Sequence, residues 1–357
     1  MKKQVKKTSI ILVLVLIISS FTLVKSKANS DLEYDESTNT CIVYPTGSDD
    51  TDNIQEAFNL VTANGAGKVK LEPGEFVIDR EIVVINFDGM FDGSGMEETV
   101  ICTTSRDDWP HREEEYFPEV ASLFLFYQTD MEERSIKVSD MSVKVKATTY
   151  DYGGFFGLNV FDIYGCVDGE FTDDKTPLNT MLKRVRISGY IAHDFPFVNT
   201  VNPWQVGGEA HVDEDNNWSF ESITGRQSVV FCKFDTVGGG PKYNSVNGNI
   251  NIKYNTIRNA VVGTWLFFSN QDDGPLREIK YNIISGSIWM GIGVWGSNDF
   301  EIANNYIINC DTGIDMWGSD NIDINSNFCM CNRMDMAWDQ SGDNTITNNY
   351  YSTKSWE

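Results

Sequence analysis

The chain is poor in positive charge, in histidine and in paired-cysteine spacings, and each shortage narrows what it can do. Of 357 residues, 28 are Lys or Arg against 52 Asp or Glu, a formal charge of -24. Nucleic-acid binding depends on neutralising phosphates with Lys and Arg, so this field argues against a nucleic-acid partner. It would equally repel a polyanionic glycan unless cations such as Ca²⁺ bridge the two. The three histidines are His111, His193 and His211. Seven cysteines (41, 102, 166, 232, 310, 329, 331) are an odd number and contain no Cys-x-x-Cys pair. The fit of Cys232 and Cys329 to inward positions of a repeat, beside isoleucines, makes them small core hydrophobes. A disulfide among the others has no connectivity readable from spacing.

Apolar runs are short as well. Ile10 to Ile18 follows Lys2, Lys3, Lys6 and Lys7 and precedes Ser26-Lys-Ala28. A basic start, a short apolar centre and small residues at a cleavage point read as a secretory signal over 1–28. The alternative is an uncleaved anchor extended through Ser19 to Val24, although a membrane span wants about 18 or more apolar residues. Either way the body is expected to be secreted or at the cell surface, touching a membrane only through 1–28. That segment holds six lysines and no acid, so the remainder carries -30. Residues 29–40 are polar and acidic and read as a flexible leader. Residues 41–357 form one domain.

What is present is a repeat. Asn255, Asn282, Asn305, Asn327 and Asn349 recur at spacings of 27, 23, 22 and 22, each inside an Ile-x-x-Asn-like segment. A period in this range signals a solenoid of stacked coils. Apolar residues alternate before each asparagine (Ile250, Ile252; Phe300, Ile302; Ile322, Ile324). A second alternating run follows, as in Gly291-Ile-Gly-Val-Trp295 and Gly313-Ile-Asp-Met-Trp317. Period-2 runs broken by Asn, Gly, Ser and Asp are strands and turns. Two or three short strands in about 22 residues make one turn of a parallel β-helix. The asparagines themselves read as stacked turn residues, chosen for tolerance of left-handed backbone and for amide-to-amide bonding.

Ahead of the repeats, Ile54, Ala57, Phe58 and Val61 fall at i, i+3, i+4, i+7. They predict an amphipathic helix with Asp and Thr available to cap its start and Gly65-Ala-Gly67 to stop it. Strand text follows at Lys68-Val-Lys-Leu71, Glu75-Phe-Val-Ile78 and Ile82-Val-Val-Ile85. A solenoid end needs covering because it presents unpaired strand edges, and this helix fits that place. Three long stretches, Thr103–Glu119, Ala147–Pro177 and Ala192–Ser222, break the template; they hold all three histidines and many aromatics. Loops of that length tend to be functional or disordered, and the aromatics here favour walls around a groove.

The run Asp49-Asp-Thr-Asp-Asn-Ile-Gln-Glu-Ala-Phe58, then Lys68-Val-Lys-Leu-Glu-Pro-Gly-Glu-Phe76, then Gly93-Ser-Gly95-Met-Glu-Glu-Thr99-Val-Ile101 resembles the opening of right-handed parallel β-helix proteins of the pectate-lyase-like class. The repeats from 230 to 351 resemble that class's generic parallel β-helix repeat. The resemblance covers most of 41–357, more weakly between 103 and 225. It implies an all-β, right-handed parallel β-helix solenoid with an N-terminal capping α-helix and long loop excursions. The class includes polysaccharide lyases, glycoside hydrolases, epimerases, adhesins and other surface proteins, so it does not select a chemistry. Gly93-x-Gly95 lacks the third glycine and following helix of a dinucleotide fingerprint. Gly-His-Gly, and Asn-Thr-Asp with a following Asp-Asp pair, are missing too, so the polygalacturonase-type hydrolase pattern is not carried over.

Register supplies candidate residues. With Ile292 and Val294, Ile314 and Met316, and Met336 and Trp338 inward, one outward column reads Phe267, Trp295, Trp317, Asp339. Its neighbour reads Trp265, Gly293, Asp315, Ala337. Strands about 4.8 Å apart and residues about 6.8 Å apart along a strand put Asp315 and Asp339 about 8 Å apart at their backbones. That separation fits an inverting glycosidase pair, and the rings of Trp265, Trp295 and Trp317 would stack on sugars. The competing reading is an outer aromatic ladder packed under a loop, with solvated acids. Glu209, His211 and Asp213, at i, i+2, i+4, could hold a divalent ion such as Ca²⁺, against the reading of an acidic loop. His193-Asp194 is a weaker base-and-orienter pair, since adjacent strand residues point opposite ways. For lyase chemistry, Arg184, Arg186 and Arg226 are available as bases, with nothing to single one out.

These readings lead to an exported protein that binds an extracellular polysaccharide or surface glycan, with cleavage by lyase or hydrolase chemistry as its extension. The rival is a non-catalytic surface or adhesion protein. Only Tyr350–Glu357 follow the last anchor asparagine, so the C-terminal end of the solenoid is expected to be covered by this tail or to contact another molecule.

Overall fold

The computed structural model describes residues 31–104, 121–146, 158–166, 175–190, 201–207, 210–212, 218–220, 222–269, 277–338 and 342–352. Each regular coil holds three strands separated by three tight corners, as in Asn249–Lys253, Thr256–Arg258 and Val262–Phe267. Strands stack in register on their counterparts in the next coil, and the pairing is parallel throughout the repeats. Ile252, Ile279, Ile302, Ile324 and Ile346 thus form one column. The first four of these are fully buried, each side chain contributing about 1.5–3 kcal/mol by its removal from water. The last strand of each coil builds a separate sheet of nine parallel strands, from Ile82–Ile85 to Met334–Trp338. The chain is a right-handed parallel β-helix.

The corners explain the polar part of the repeat. At the first corner one residue per coil adopts the left-handed region: Asp140, Arg184, Phe231, Tyr254, Tyr281, Asn304, Ser326 and Asn348, with φ between 51° and 59°. The anchor asparagine is the next residue, so its use is not left-handed backbone but the buried amide ladder. Asn282 Nδ2 donates to the Ile252 carbonyl and to Asn305 Oδ1, while Asn282 Oδ1 accepts from the Asn255 N–H and Nδ2, all at 2.9–3.0 Å. Cys232 stands at the head of this ladder, its N–H donating to Asn255 Oδ1 at 2.9 Å, rather than in an isoleucine column. Cys329 does stack on Ile307, as the repeat predicts. Left-handed corner residues such as Tyr254 and Tyr281 are made tolerable by stacking of their exposed rings, 5.0 Å apart and 5° from parallel.

The N-terminal helix, Thr51–Ala63, buries Ile54, Ala57, Phe58 and Val61 against the first coil. Phe58 packs on Phe87 and Phe91, with centroids 5.2 and 5.0 Å away. Its start is covered by Asp49, whose Oδ1 accepts the Thr51 N–H at 2.9 Å. The residue at the cap position, Asp50, instead ties the Thr46 and Val77 amides. Part of the stretch read as a leader is structured: Leu32–Asp35 pairs antiparallel with Thr40–Val43. Leu32 and Tyr34 alternate onto the core, which composition alone concealed. Residues 1–30, with the signal or anchor expected there, lie outside the described residues.

Candidate functional site

Outward residues of the nine-stranded sheet form three columns, fixed by strand register. The middle one reads Leu125, Asp162, Gln205, Lys242, Trp265, Gly293, Asp315, Ala337. One side column reads Tyr127, Tyr164, Gly207, Asn244, Phe267, Trp295, Trp317. On the other side Ser122, Asn159 and Asn202 stack, and further down Val262, Met290, Thr312 and Met334. Glycines at 240, 263, 291 and 313 let these strands start in close contact, since a Cβ on Gly240 or Gly263 would fall within 2.2 Å of the next glycine's carbonyl oxygen.

The face divides into an aromatic half and a polar half. In the first, Trp265, Trp289 and Trp295 pack on Val261, Val262 and Met290, a cluster separate from the core, and Phe267 packs on Trp295. Trp295 meets Trp265 and Trp289 edge-to-face at 5.3 Å, a favoured arrangement of ring quadrupoles. A Cβ on Gly293 would sit 2.5 Å from the Met290 sulfur, so the thioether occupies the space this glycine leaves. Asp315 Oδ2 accepts a hydrogen bond from Trp295 Nε1 at 3.1 Å. Trp317 closes the row and is 59% exposed.

The polar half escaped the sequence reading. Asp162 is fully buried on the outward face. Its Oδ2 accepts from Ser122 Oγ at 2.8 Å and Asn159 Nδ2 at 2.9 Å, and Asn159 Oδ1 accepts from Asn202 Nδ2 at 3.0 Å. Two strands along, Lys242 lies with its ammonium 5.5 Å from the centre of the Trp265 ring. Burial pushes that ammonium down to about 8, with Asp162 acting in the opposite sense. Between and beside them, Gln205 Oε1 and Trp265 Nε1 are buried without a hydrogen-bond partner among the described residues. Buried polar atoms are nearly always paired, so an acceptor and a donor left unmet on either side of one lysine call for an explanation. The alternation Phe161, Asp162, Ile163, Tyr164 was the signal that could have found Asp162.

The aromatic columns stand where register predicted: Trp265 beside Gly293, then Asp315 and Ala337, and Phe267 beside Trp295 and Trp317. Asp339 lies outside the described residues, as do Glu209 and Asp213. His211 belongs to the strand Ala210–Val212, paired antiparallel with Trp218–Phe220. Asp162 and Asp315 are five strands apart, about 24 Å at ~4.8 Å per strand, too far for the two carboxyls of a glycosidase. His111, His193 and Asp194 also fall outside the described residues. Of the arginines, Arg184 is held by Asp140 and Arg186 by Glu97, both on the first sheet and away from this face.

The family model described as "Periplasmic copper-binding protein (NosD)" matches residues 211–355, less than half of the chain. No curated protein matches. Among solved structures, the A-module of an Azotobacter vinelandii mannuronan C-5 epimerase, AlgE6, is 14% identical. It aligns over 86% of this chain and 96% of its own, with a TM-score of 0.37. The catalytic domain of a GH87 alpha-1,3-glucanase in complex with nigerose is 10% identical over 90% of this chain and 66% of its own, TM-score 0.42. PfbA, a surface adhesin of Streptococcus pneumoniae, is 14% identical over 88% and 90%, TM-score 0.34. The likeness is one of fold.

Proposed function

We propose that this protein is exported and binds a polysaccharide along the outward face of the nine-stranded sheet, with the chain's rings at one end and its polar column at the other. The observation that carries this reading is the column Gln205, Lys242, Trp265, in which a buried acceptor and a buried donor lack partners among the described residues. Sugar hydroxyls supply both donors and acceptors, and the exposed indole of Trp317 supplies an apolar face for a pyranose ring. The lysine-rich, then apolar, opening supports export, and so does the periplasmic family matched over 211–355. The negative field favours a neutral glycan, or an acidic one bridged by Ca²⁺ through Glu209, His211 and Asp213.

Cleavage is the second step of the proposal. Asp315, with one oxygen engaged by Trp295, serves with Asp339 as the acid pair at the aromatic end. Lys242, lowered toward neutrality, is the proton-transfer group at the polar end.

The test uses the mature protein against a glycan panel with and without Ca²⁺, reading binding together with reducing ends and unsaturated products. Trp317→Ala and Gln205→Met are each expected to weaken binding by about 10-fold, or ~1.4 kcal/mol, while Trp317→Ala leaves the melting temperature unchanged. Full binding by both variants would remove the groove. Unaltered binding without products, also in Asp315→Asn and Asp339→Asn, would leave the non-catalytic surface protein.

A further inference from the structure

The second corner of the repeat coils carries one small buried residue per turn, and the main chain fixes how these stack. Ile288 N–H donates to the Ala260 carbonyl, Asp311 N–H to Ser287 and Asn332 N–H to Cys310, at 2.8, 3.0 and 2.7 Å. Each bond places the residue before its donor directly over the acceptor, so Ala260, Ser287, Cys310 and Cys331 form one column. The first corner fills the matching column with asparagine amides. The third fills it with serines, where Ser269 N–H donates to Ser297 Oγ at 3.0 Å and Ser297 N–H to Ser319 Oγ at 3.3 Å. At the second corner the last two members are thiols.

Both thiols are buried, at 0% and 7% exposure, and each is the first influence on the other's titration. Cys331 is held in place by its N–H bond to Asp335 Oδ1 at 2.8 Å. Gly313 packs against it so closely that a Cβ there would lie 3.0 Å from the sulfur. Residues stacked in adjacent coils are about 4.8 Å apart at their Cα atoms, inside the 4.4–6.8 Å range that a disulfide spans. We propose that Cys310 and Cys331 are an oxidisable pair that closes into a disulfide joining two successive coils.

The direction of the chemistry follows from the surroundings. The hydrogen bond from Cys331, aided by Ser287 and against burial, holds the Cys310 thiol down to about 7. Burial first, joined by the Glu56 charge at Cys41 and the Asp335 charge at Cys329, pushes Cys41, Cys232 and Cys329 up to about 12, leaving them inert at neutral pH. Cys310 is therefore the attacking thiolate. It attacks one sulfur of a low-molecular-weight disulfide such as oxidised glutathione, forming a mixed disulfide and expelling one glutathione thiolate. Cys331 gives its proton to that thiolate and attacks the Cys310 sulfur, and the second glutathione leaves. The two protein thiols lose two electrons, and the oxidant becomes two thiols.

The experiment takes the full chain, reduced and then equilibrated with oxidised glutathione. It is quenched in acid, unfolded and alkylated, and its peptides are mapped without reduction. Of the seven cysteines, two should escape alkylation, in a peptide linking 310 to 331. The oxidised chain should melt several degrees above the reduced one. Cys331→Ser should give no cross-link and should instead hold Cys310 as its glutathione adduct, with the other thiols alkylated. A fully alkylated wild-type chain, or a cross-link between any other pair, overturns the proposal without reliance on a variant. The same mapping after loading with Cu⁺ covers the competing chemistry of two soft ligands. One bound ion per chain that protects both thiols, together with no cross-link under oxidised glutathione, would reassign the pair as a metal site.

Discussion

The Asn282 side chain makes four hydrogen bonds inside the wall of the solenoid, two as donor and two as acceptor. Its replacement by alanine leaves the buried Asn255 N–H without its acceptor and takes one donor each from the Ile252 carbonyl and Asn305 Oδ1, and the loss of a buried partner costs about 1–3 kcal/mol. Asn282→Ala should thus destabilise the protein by roughly 3 kcal/mol, read as a lowered denaturation midpoint. A change under about 0.5 kcal/mol, the range of an ordinary surface site, would show that water restores these bonds. The ladder was legible in the sequence because identical residues recur at a fixed period. Its exact use was not, since periodicity cannot distinguish the left-handed residue from the one after it. Only the φ values of Tyr254, Tyr281 and Asn304 separate the two roles.

Coil by coil, legibility followed regularity. Where turns recur every 22 to 27 residues, alternation could be counted from one asparagine to the next. The ring columns Trp265–Gly293–Asp315 and Phe267–Trp295–Trp317 then came out in the right register. Asp162, Gln205 and Lys242 are equally in register, yet 43 and 37 residues separate them. Counting alternation cannot cross excursions of that length, because a slip of one residue exchanges the two faces of a strand.

Corners also join coils electrostatically. Arg184 grips Asp140 of the preceding coil with two hydrogen bonds of 2.5 Å, and this pairing holds the Asp140 carboxyl below its usual range. A carboxyl depressed in the folded state stabilises above its unfolded value of about 3.9, and that contribution disappears as pH falls through the lower folded value. Asp140→Asn should therefore melt below wild type at pH 6, with the gap closing as pH falls below about 4. A gap that stays constant across this acid range would assign the pair no linkage to folding. Both groups are partly exposed, and high salt should shrink the gap as well.

Seen whole, the molecule is a one-dimensional stack in which each coil touches only its neighbours, so stability is a sum of similar local terms. The N-terminal helix closes one end through Phe58, and the ladders at all three corners align every coil with the next. That alignment has a consequence for how such a chain can change its size. Excision of residues 305–326 joins Asn304 to Asn327, bringing Asn327 onto Asn282, Ile324 being lost while Ile346 takes its place over Ile302. Every column survives with one member fewer, and the shortened protein should fold and melt cooperatively. Removal of one residue more or fewer should give an unfolded or aggregated product, and equal behaviour of all three deletions would contradict this. Length is therefore quantised. The footprint offered to a bound chain grows or shrinks in steps of about 4.8 Å, one coil at a time, so that variation in reach comes from gain or loss of whole turns.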